Sequence, residues 1–412
     1  MEQNSGRPGG HAQRHHIWRT HNVWAFSLAS LFSDWGHEMV TALMPGFLTT
    51  LGAPAVALGL TEGISNLVQA WTAVWGGQVS DHQAHRHRVL IAGYTLTGFK
   101  VLLAAVYWWP WVVVLRTVAW AGRGARGPIR DAYIAEEVAP EHVGKAYGLR
   151  EAFDTAGALL GPLCAALFAA YTTPRALIAW TAVPAVVTIV IALTFKKLPG
   201  RPSNVNRIGA DKGHTRGWSR RFIRYRAASA LFACGYLAPT FFILRVWQSR
   251  QGVGPLSAHT VALLLYTLHN AVYAASAYPV GRLADRMPGR TMLGVGYGLW
   301  TVTVAGFFLV ANGVGWWIGL FALAGLATGM IEVGQKITTV RIVSAAQRGQ
   351  GLGQIAAVRG MGQLLAGLIM GILWTLSGSR AGFGTEAGLA LLGSLAMIWA
   401  TGRPGEPADQ PA

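Results

Sequence analysis

Long apolar stretches separated by short charged loops constrain this chain more than any other feature. An α-helix needs about 20 predominantly apolar residues to cross a bilayer, and about twelve segments of that kind follow one another here. They occupy residues 23–50, 56–76, 88–108, 111–137, 144–171, 175–195, 222–247, 257–280, 291–311, 315–342, 349–376 and 380–400. The pattern predicts an all-α integral membrane protein with about twelve transmembrane helices, six on each side of one polar stretch.

The composition excludes several other classes of protein. Only 12% of the residues are charged and 52% are hydrophobic, whereas roughly 25% are charged in an average soluble domain. The net charge of +17 suggests a nucleic-acid partner at first sight. The basic residues lie in short loops between apolar runs, however, so we attribute them to membrane topology and anionic lipid, and expect no nucleic acid. Two cysteines, Cys164 and Cys234, exclude a disulfide scaffold and a zinc framework.

The distribution of Arg and Lys predicts how the chain is oriented. Basic residues cluster in alternate loops, such as 196–221 and 282–290, and are almost absent from the others, such as 51–55. Because basic loops stay in the cytoplasm, both termini are expected there. The predicted parts are a cytoplasmic N-terminal tail (1–22), which is not a signal peptide, an N-terminal six-helix bundle (23–195), a cytoplasmic basic linker (196–221), a C-terminal six-helix bundle (222–400) and a cytoplasmic C-terminal tail (401–412).

Two loop segments separated by a constant offset indicate an internal repeat. The segment 77–86 (GQVSDHQAHR) follows the second span, and the segment 281–290 (GRLADRMPGR) follows the eighth, at an offset of 281 − 77 = 204. An offset of 205 pairs Gly157 with Gly362. The two halves therefore repeat in parallel, as in one class of secondary transporter.

These segments carry a resemblance to a known family. The second copy resembles the loop motif Gly-x-Leu-Ala-Asp-Arg-x-x-Gly-Arg of the major facilitator superfamily, whereas the first departs from it, with His82 after Asp81. Segment 157–162 (GALLGP) resembles the antiporter motif of the fifth helix, without its closing glycine pair. Segments 33–39 and 123–135 are similar to those of a poorly characterised prokaryotic branch of permeases in this superfamily. The resemblance covers nearly the whole chain and implies a transporter.

The repeated motifs have a physical interpretation as cytoplasmic gates. An Asp at the cytoplasmic end of a helix can accept hydrogen bonds from a neighbouring helix N-terminus and pair with Arg, which makes a reversible latch. A static loop held by local charge pairs is the alternative. The predicted gate residues are Gly77, Asp81, Arg86, Gly281, Asp285, Arg286 and Arg290, and those of the antiporter-like motif are Gly157, Gly161 and Pro162.

Ionisable residues inside the apolar spans are candidates for function. Each costs about 2.5–3.5 kcal/mol at the centre of a membrane helix, yet here they fall in stripes along single helix faces. We expect a central cavity, serving substrate and proton coupling, to be lined by Asp34, His37, Glu38, Glu62, Asn66, Arg116, Glu332, Lys336 and Arg359. A local pair between Glu332 and Lys336 is an equal alternative. Static pairing between helices near the cytoplasmic ends is expected for Arg123, Arg126, Arg130, Glu151 and Asp154.

The sharpest hypothesis concerns the first span. Asp34 and Glu38 are one helical turn apart, with His37 beside them. Two carboxylates this close in a low-dielectric cavity resist ionising together, so one proton should be held near neutral pH. Arg116 is expected to be the arginine nearest to them and to release that proton when the cavity closes. Either Glu38→Gln or Asp34→Asn should then abolish proton-driven transport.

The leading functional hypothesis is a secondary active transporter that exports a small solute in exchange for protons. Movement of metal or metal chelates past Asp34, His37 and Glu38 is one alternative, and a transport-inactive scaffold or sensor is another. No nucleophile elbow, phosphate loop or HExxH motif is present in the sequence, so an enzyme is not expected. The expected partners are a small-molecule substrate, protons and the lipid bilayer of a prokaryotic inner membrane. The chain is expected to be monomeric and to need no cofactor, and solvated loops are favoured over metal sites for its histidine clusters.

Overall fold

A computed structural model describes residues 20–82, 85–198, 218–249, 256–309, 313–344 and 347–401. Over these ranges the chain folds into helices without an extended strand. The α-helices are α1 (His21–Thr50), α2 (Ala55–His82), α3 (Arg86–Gly98), α4 (Pro110–Glu137), α5 (Val143–Phe168), α6 (Pro174–Trp180), α7 (Ala182–Leu193), α8 (Arg220–Ala233), α9 (Thr240–Gln248), α10 (Ala258–Arg286), α11 (Gly289–Leu309), α12 (Val314–Ile342), α13 (Arg348–Ser377) and α14 (Ser379–Thr401).

These helices form twelve membrane-crossing units in the predicted order. A 3₁₀ segment (Phe99–Ala105) continues α3, while α6 and α7 meet at Thr181, and α8 and α9 are two parts of one broken unit. Seven of the described units are long and apolar enough to cross a bilayer by length and composition alone. Among the other units, α4 contains four arginines, and neither α8 nor α9 is long enough to cross a bilayer by itself. The all-α membrane architecture is thereby confirmed.

The break between α8 and α9 leaves backbone groups without helical partners. The indole nitrogen of Trp300 donates to the carbonyl of Gly235 at 3.0 Å, which satisfies one of them. Gly235 also contacts the backbone of α14, because a β-carbon there would overlap the amide of Ala390. The broken unit is thus held by a tryptophan on one side and by a close helix contact on the other.

The internal repeat is visible in how glycines bring helices together. Gly157 and Gly161 of α5 contact the backbone of α1, and Gly362 of α13 contacts Ala233 of α8. Gly157 and Gly362 are the pair predicted from the 205-residue offset, and each joins the fifth unit of its half to the first. Small residues permit such close approach in a lipid environment, where dispersion contacts hold helices together. The two parallel six-helix halves are therefore built on equivalent crossings.

The two halves meet closely at the end with few basic residues. A β-carbon on Gly59 of α2 would overlap the carbonyl of Gly367 of α13, and one on Gly46 of α1 would overlap the ring of Trp247 of α9. The amide of Val56 also donates to the Thr375 hydroxyl at 3.3 Å. We call these crossings the outer seal.

At the basic end α2 and α13 separate. Gly77, Gly349 and Gly353 have open space where a β-carbon would point. A cleft of about 1190 Å³ lies between the two helices. The tails, and the basic linker beyond residue 198, fall outside the described residues.

Candidate substrate and coupling site

The predicted acidic face of α1 meets the arginine stripe of α4. Both terminal nitrogens of Arg123 donate to the carboxylate of Asp34, one of them at 2.9 Å, and Arg126 lies 4.0 Å from the same group. Asp34 is only 2% exposed, so this is a buried ion pair with two-point geometry. The two helices are held in register by charge as well as by apolar packing.

Glu38, one turn further along α1, has a different environment. Its carboxylate accepts from the Tyr266 hydroxyl at 2.7 Å and more distantly from the Asn270 amide at 3.5 Å. His37 lies 3.8 Å away and stacks on Trp120. Tyr266 and Asn270 belong to α10 in the C-terminal half. Glu38 therefore bridges the two halves, and no guanidinium holds it among the described ion pairs.

Contrary to the sequence hypothesis, the described contacts of Arg116 are not with Asp34 or Glu38. Arg116 donates to Glu62 of α2 at 2.8 Å, contacts Thr41 at 3.4 Å and stacks over Trp120 at 3.9 Å. Arg116 lies seven residues before Arg123, nearly two helical turns, and at its level of α4 the facing carboxylate belongs to α2. The expectation that Arg116 is the arginine nearest to Asp34 is wrong, because Arg123 pairs with that carboxylate.

The rest of the α4 stripe binds hydroxyl and carbonyl oxygens of α1. Arg126 donates to Ser33 Oγ at 2.6 Å, and Arg130 donates to Ser30 Oγ at 3.1 Å. Lys100, 1% exposed, donates to the Ser33 carbonyl at 2.9 Å. The two serines do not stand out in an apolar sequence, so sequence reasoning missed them, although their three-residue spacing, which places them on one face of α1, was a usable signal.

Asp154 of α5 lines one cavity together with Arg123, Arg126 and Arg130, although the described ion pairs of these arginines are with other carboxylates. Arg150 pairs with Glu151 and, at 3.6 Å, with Asp154, all on α5. Glu151 is exposed, and Arg130 pairs with its neighbour Asp131 at 3.1 Å. Arg130 and Arg150 pair with carboxylates that are close to them in sequence. Arg123 lies closer to the carboxylate of Asp34 on α1 than to either carboxylate of α5.

The C-terminal half carries a smaller polar group. Glu332 of α12 accepts from the Tyr273 hydroxyl at 2.7 Å and lies 3.8 Å from Arg359 of α13. Lys336 is exposed, so the local Glu332–Lys336 pair is replaced by a pair between helices. The charges of this half are fewer and more accessible than those of the first.

A central cavity of about 250 Å³ is lined by both halves. From the N-terminal half it receives Glu38, Glu62, Asn66, Arg116 and Arg123, and from the C-terminal half Tyr236, Thr328 and Gln363. A second cavity of about 290 Å³, toward the basic end, is lined by Arg123, Arg126, Arg130 and Arg150 together with Asp131 and Asp154. We call it the arginine vestibule. Of the nine predicted cavity residues, five line the central cavity, namely His37, Glu38, Glu62, Asn66 and Arg116, whereas Asp34, Glu332, Lys336 and Arg359 do not.

The gate motifs are described only in part. The side chains of Asp81 and Asp285 lie outside the described residues. Arg86, at the end of the first motif, pairs with Glu136 of α4 at 2.8 Å. Around the second motif Arg286 is exposed and Arg290 is half-buried. Arg341, which sequence reasoning did not single out, donates to the carbonyls of Ala284 and Met287.

Gly77 and Gly281 have open space at their β-carbon positions. Gly161 and Pro162 of the antiporter-like motif are buried together with Gly157 in α5, at its crossing with α1. Gly77 and Gly281 therefore do not serve close packing here, whereas Gly289 of the second loop motif and Gly157 and Gly161 of the antiporter-like motif do.

A buried carboxyl group in α14 was also missed. Glu386 has no exposed surface, and neither carboxylate oxygen has a partner among the described residues. It sits beside the break between α8 and α9, because Gly235 lies against its backbone carbonyl. Its only sequence signal was a lone acid in a segment rich in Gly and Ala.

Parallel six-helix halves around a polar cavity define a secondary transporter that works between two halves. The chain belongs to the Major Facilitator Superfamily, whose family model matches residues 26–268 and 256–412. An uncharacterised MFS-type transporter of Methanocaldococcus jannaschii is 31% identical over 86% of this chain and 89% of its own length. The multidrug resistance protein MdtH of Cronobacter sakazakii is 31% identical over 28% of this chain and 29% of that protein.

The fold is also that of solved transporters. The crystal structure of the nucleoside transporter NupG superposes with a TM-score of 0.74 at 13% identity, covering 93% of this chain and all of that one. At this identity the likeness concerns the fold alone. The chain is therefore a multi-pass membrane protein and a secondary transporter of the superfamily, as its sequence predicts.

Proposed function

We propose that this transporter exports a small solute in exchange for protons, as a monomer in a prokaryotic inner membrane, with its basic loops in the cytoplasm. The observation that carries the proposal is the position of Glu38. Its carboxylate lies in the central cavity and is bound by neutral donors from the opposite half. It is the one carboxylate of the α1 face that can change its charge without stranding a cation.

The two carboxylates of α1 differ in what protonation would do. Neutralising Asp34 would leave Arg123 and Arg126 in a buried site without a counter-charge, which is costly. Neutralising Glu38 would only weaken its hydrogen bonds from Tyr266 and Asn270. We therefore assign proton coupling to Glu38 and helix positioning to Asp34.

Protonation of Glu38 provides a link to conformational change. Hydrogen bonds to an ionised acceptor are roughly twice as strong as those between neutral groups. Because Tyr266 lies in the other half, a proton on Glu38 weakens a contact between the halves. Loss of that contact favours the reorientation of the halves that alternating access requires, and reformation of the carboxylate restores it.

Two observations support export as the direction. The buried Gly157, Gly161 and Pro162 place an antiporter-like motif at the α1–α5 crossing, next to the helix that carries Glu38. The partial similarity to a multidrug resistance protein points the same way.

No comparable observation supports the alternative functions. The described ranges contain no group of three or more His, Cys, Asp and Glu side chains that could hold a metal ion. A transport-inactive scaffold would gain nothing from buried charges at the cost that membrane interiors impose.

The proposal is tested in everted membrane vesicles that contain the protein and a fluorescent reporter of the imposed pH gradient. Drugs, organic anions and metal chelates are added in turn, and dissipation of the gradient reports proton-coupled movement. We expect at least one of these compound classes to dissipate the gradient with the wild-type protein and not with Glu38→Gln. Unlabelled-for-labelled exchange of the active compound across proteoliposomes should persist in Glu38→Gln, because exchange needs no net proton movement.

The matched control is Glu332→Gln, which neutralises a carboxylate of the C-terminal half that lies outside the central cavity. It should keep the proton-driven response. Full gradient dissipation by Glu38→Gln, or no response to any of the three classes with folded wild-type protein, would refute proton coupling through this group.

A further inference from the structure

Three cavities share one lining residue of the N-terminal half. Gln69 of α2 lines the central cavity, the arginine vestibule and the cleft between α2 and α13. A molecule in the cleft can therefore place one end in the vestibule or the central cavity while the remainder stays between the two helices. The combined space is long and has chemically distinct ends.

The cleft has an apolar wall that continues onto the outer surface of the helix. Trp71 and Val74 line it and are 61% and 48% exposed. On a membrane-spanning helix such large exposed apolar side chains face lipid. Across the cleft, Gly349 and Gly353 of α13 leave room that side chains would fill. The cleft is thus open sideways to the bilayer as well as toward the basic end.

The vestibule has the opposite character. Four guanidinium groups line it together with the carboxylates of Asp131 and Asp154. Arg123, Arg130 and Arg150 each pair with a carboxylate, whereas Arg126 lies 4.0 Å from the nearest one, that of Asp34, which Arg123 already binds. Arg126 is 2% exposed, and its Nη1 has no hydrogen-bond partner among the described residues. A buried, charged donor without a partner is costly unless a ligand completes it. An anionic group is the ligand that this arrangement favours, because guanidinium binds carboxylate and phosphate oxygens with two-point geometry.

We infer that the transported solute is a single-chain amphiphile with an anionic head group, which enters sideways from the bilayer. Its apolar chain lies in the α2–α13 cleft along Trp71, and its head group binds in the arginine vestibule past Gln69. This inference rests on the proposed function, since it names the substrate class of the same transporter. Proton coupling alone needs neither the cleft nor the vestibule, and this inference gives a role to both.

The test is equilibrium binding in nanodiscs of neutral phosphatidylcholine, without any pH gradient. The probe is dodecyl phosphate with a bromine-labelled chain, which quenches tryptophan fluorescence on contact. We expect saturable quenching that Trp71→Phe largely removes. Dodecyl maltoside and dodecyltrimethylammonium, which carry neutral and cationic heads on the same chain, should compete at least tenfold less well, as should ethyl phosphate, which has the head without the chain.

Two variants and a matched control separate the contributions of the chain and the head group. Gly353→Leu fills the cleft without a steric clash and should weaken dodecyl phosphate binding about tenfold or more, whereas Gly294→Leu, equally free of neighbours on α11, should not. Arg150→Gln removes one vestibule guanidinium and should weaken the phosphate probe by about tenfold, the equivalent of one hydrogen bond to a charged group. Binding of dodecyl maltoside should stay unchanged in that variant.

Equal competition by dodecyl maltoside would refute the anionic head group, and equal competition by ethyl phosphate would refute the cleft as a chain site. Absence of quenching at Trp71 would refute sideways entry. Because binding is measured without a gradient, failure of proton coupling through Glu38 would leave this result standing. Conversely, a refuted amphiphile would leave the gradient experiment on Glu38 intact.

Discussion

Replacing Asp34 with Asn removes the buried carboxylate that the half-buried Arg123 and the buried Arg126 share. Arg123 donates to it with both terminal nitrogens, and Arg126 lies 4.0 Å away with a serine as its other hydrogen-bonding partner. Removing one member of a buried ion pair costs about 3–5 kcal/mol, because the remaining charge is left uncompensated. We expect Asp34→Asn to lie in that range and to lower the thermal stability of the protein strongly.

Glu38→Gln provides the comparison at the next turn of the same helix. The amide oxygen of Gln can still accept from Tyr266, and no cation is stranded, so the expected cost is about 1 kcal/mol. The assay is the temperature at which half of the detergent-solubilised protein is lost from the monodisperse peak in fluorescence-detected size-exclusion chromatography. The decrease in this temperature should be clearly larger for Asp34→Asn than for Glu38→Gln.

A double variant supplies the internal control. Asp34→Asn combined with Arg123→Gln replaces the ion pair with two neutral amides and should recover part of the lost stability. Additive losses in the double variant would mean that the two side chains do not act as a pair. Equal stability of Asp34→Asn and Glu38→Gln, with proton coupling lost in Asp34→Asn alone, would overturn the division of roles between them.

Three further predictions follow from other features. Glu386→Leu should stabilise the protein by about 1–3 kcal/mol in the same assay, since it removes a buried carboxyl without partners; a destabilised variant would show that the carboxyl is bound. Gly59→Leu should separate α2 from α13 at the outer seal, so that a cysteine at Thr328 becomes reactive toward an impermeant thiol reagent from the basic-poor side. Unchanged reactivity would contradict a seal at this crossing. Cysteines placed at Ala53 and within 200–215 should be labelled from opposite faces of the membrane, and labelling from one face would overturn the proposed orientation.

The sequence was sufficient for the units of the fold, because the length of an apolar run is dictated by the bilayer and not by tertiary contacts. Predicted span 111–137 became α4, Pro110–Glu137, despite its four arginines. The breaks were not foreseen. An apolar run has the same sequence pattern whether it forms one helix or two. The break at Gly235 is an example, because the backbone carbonyl there accepts a hydrogen bond from the distant Trp300.

The sequence predicted five of the residues that line the central cavity, but it did not predict their pairings. Helical phase placed Asp34 and Glu38 on one face correctly, since that depends on a single helix. Which arginine faces them depends on how far α4 is shifted along α1. That shift depends on tertiary contacts, such as the close contact that holds Gly124 of α4 against the Gln69 carbonyl of α2. The contact between Tyr266 and Glu38 could not be predicted either, because it forms only when the two halves of the protein are assembled.

The outer seal has a consequence for how the transporter keeps ions from leaking. Its described crossings at Gly46, Gly59 and Gly367 are contacts of backbone and aromatic surface, with no ionisable side chain among them. These contacts include no charged side chain on which the membrane voltage could act. They also include no titratable group whose protonation could weaken them. The seal yields only when one half of the protein moves as a rigid body. In the proposed mechanism protons act at Glu38, whereas the described crossings of the outer seal contain no group that they could titrate.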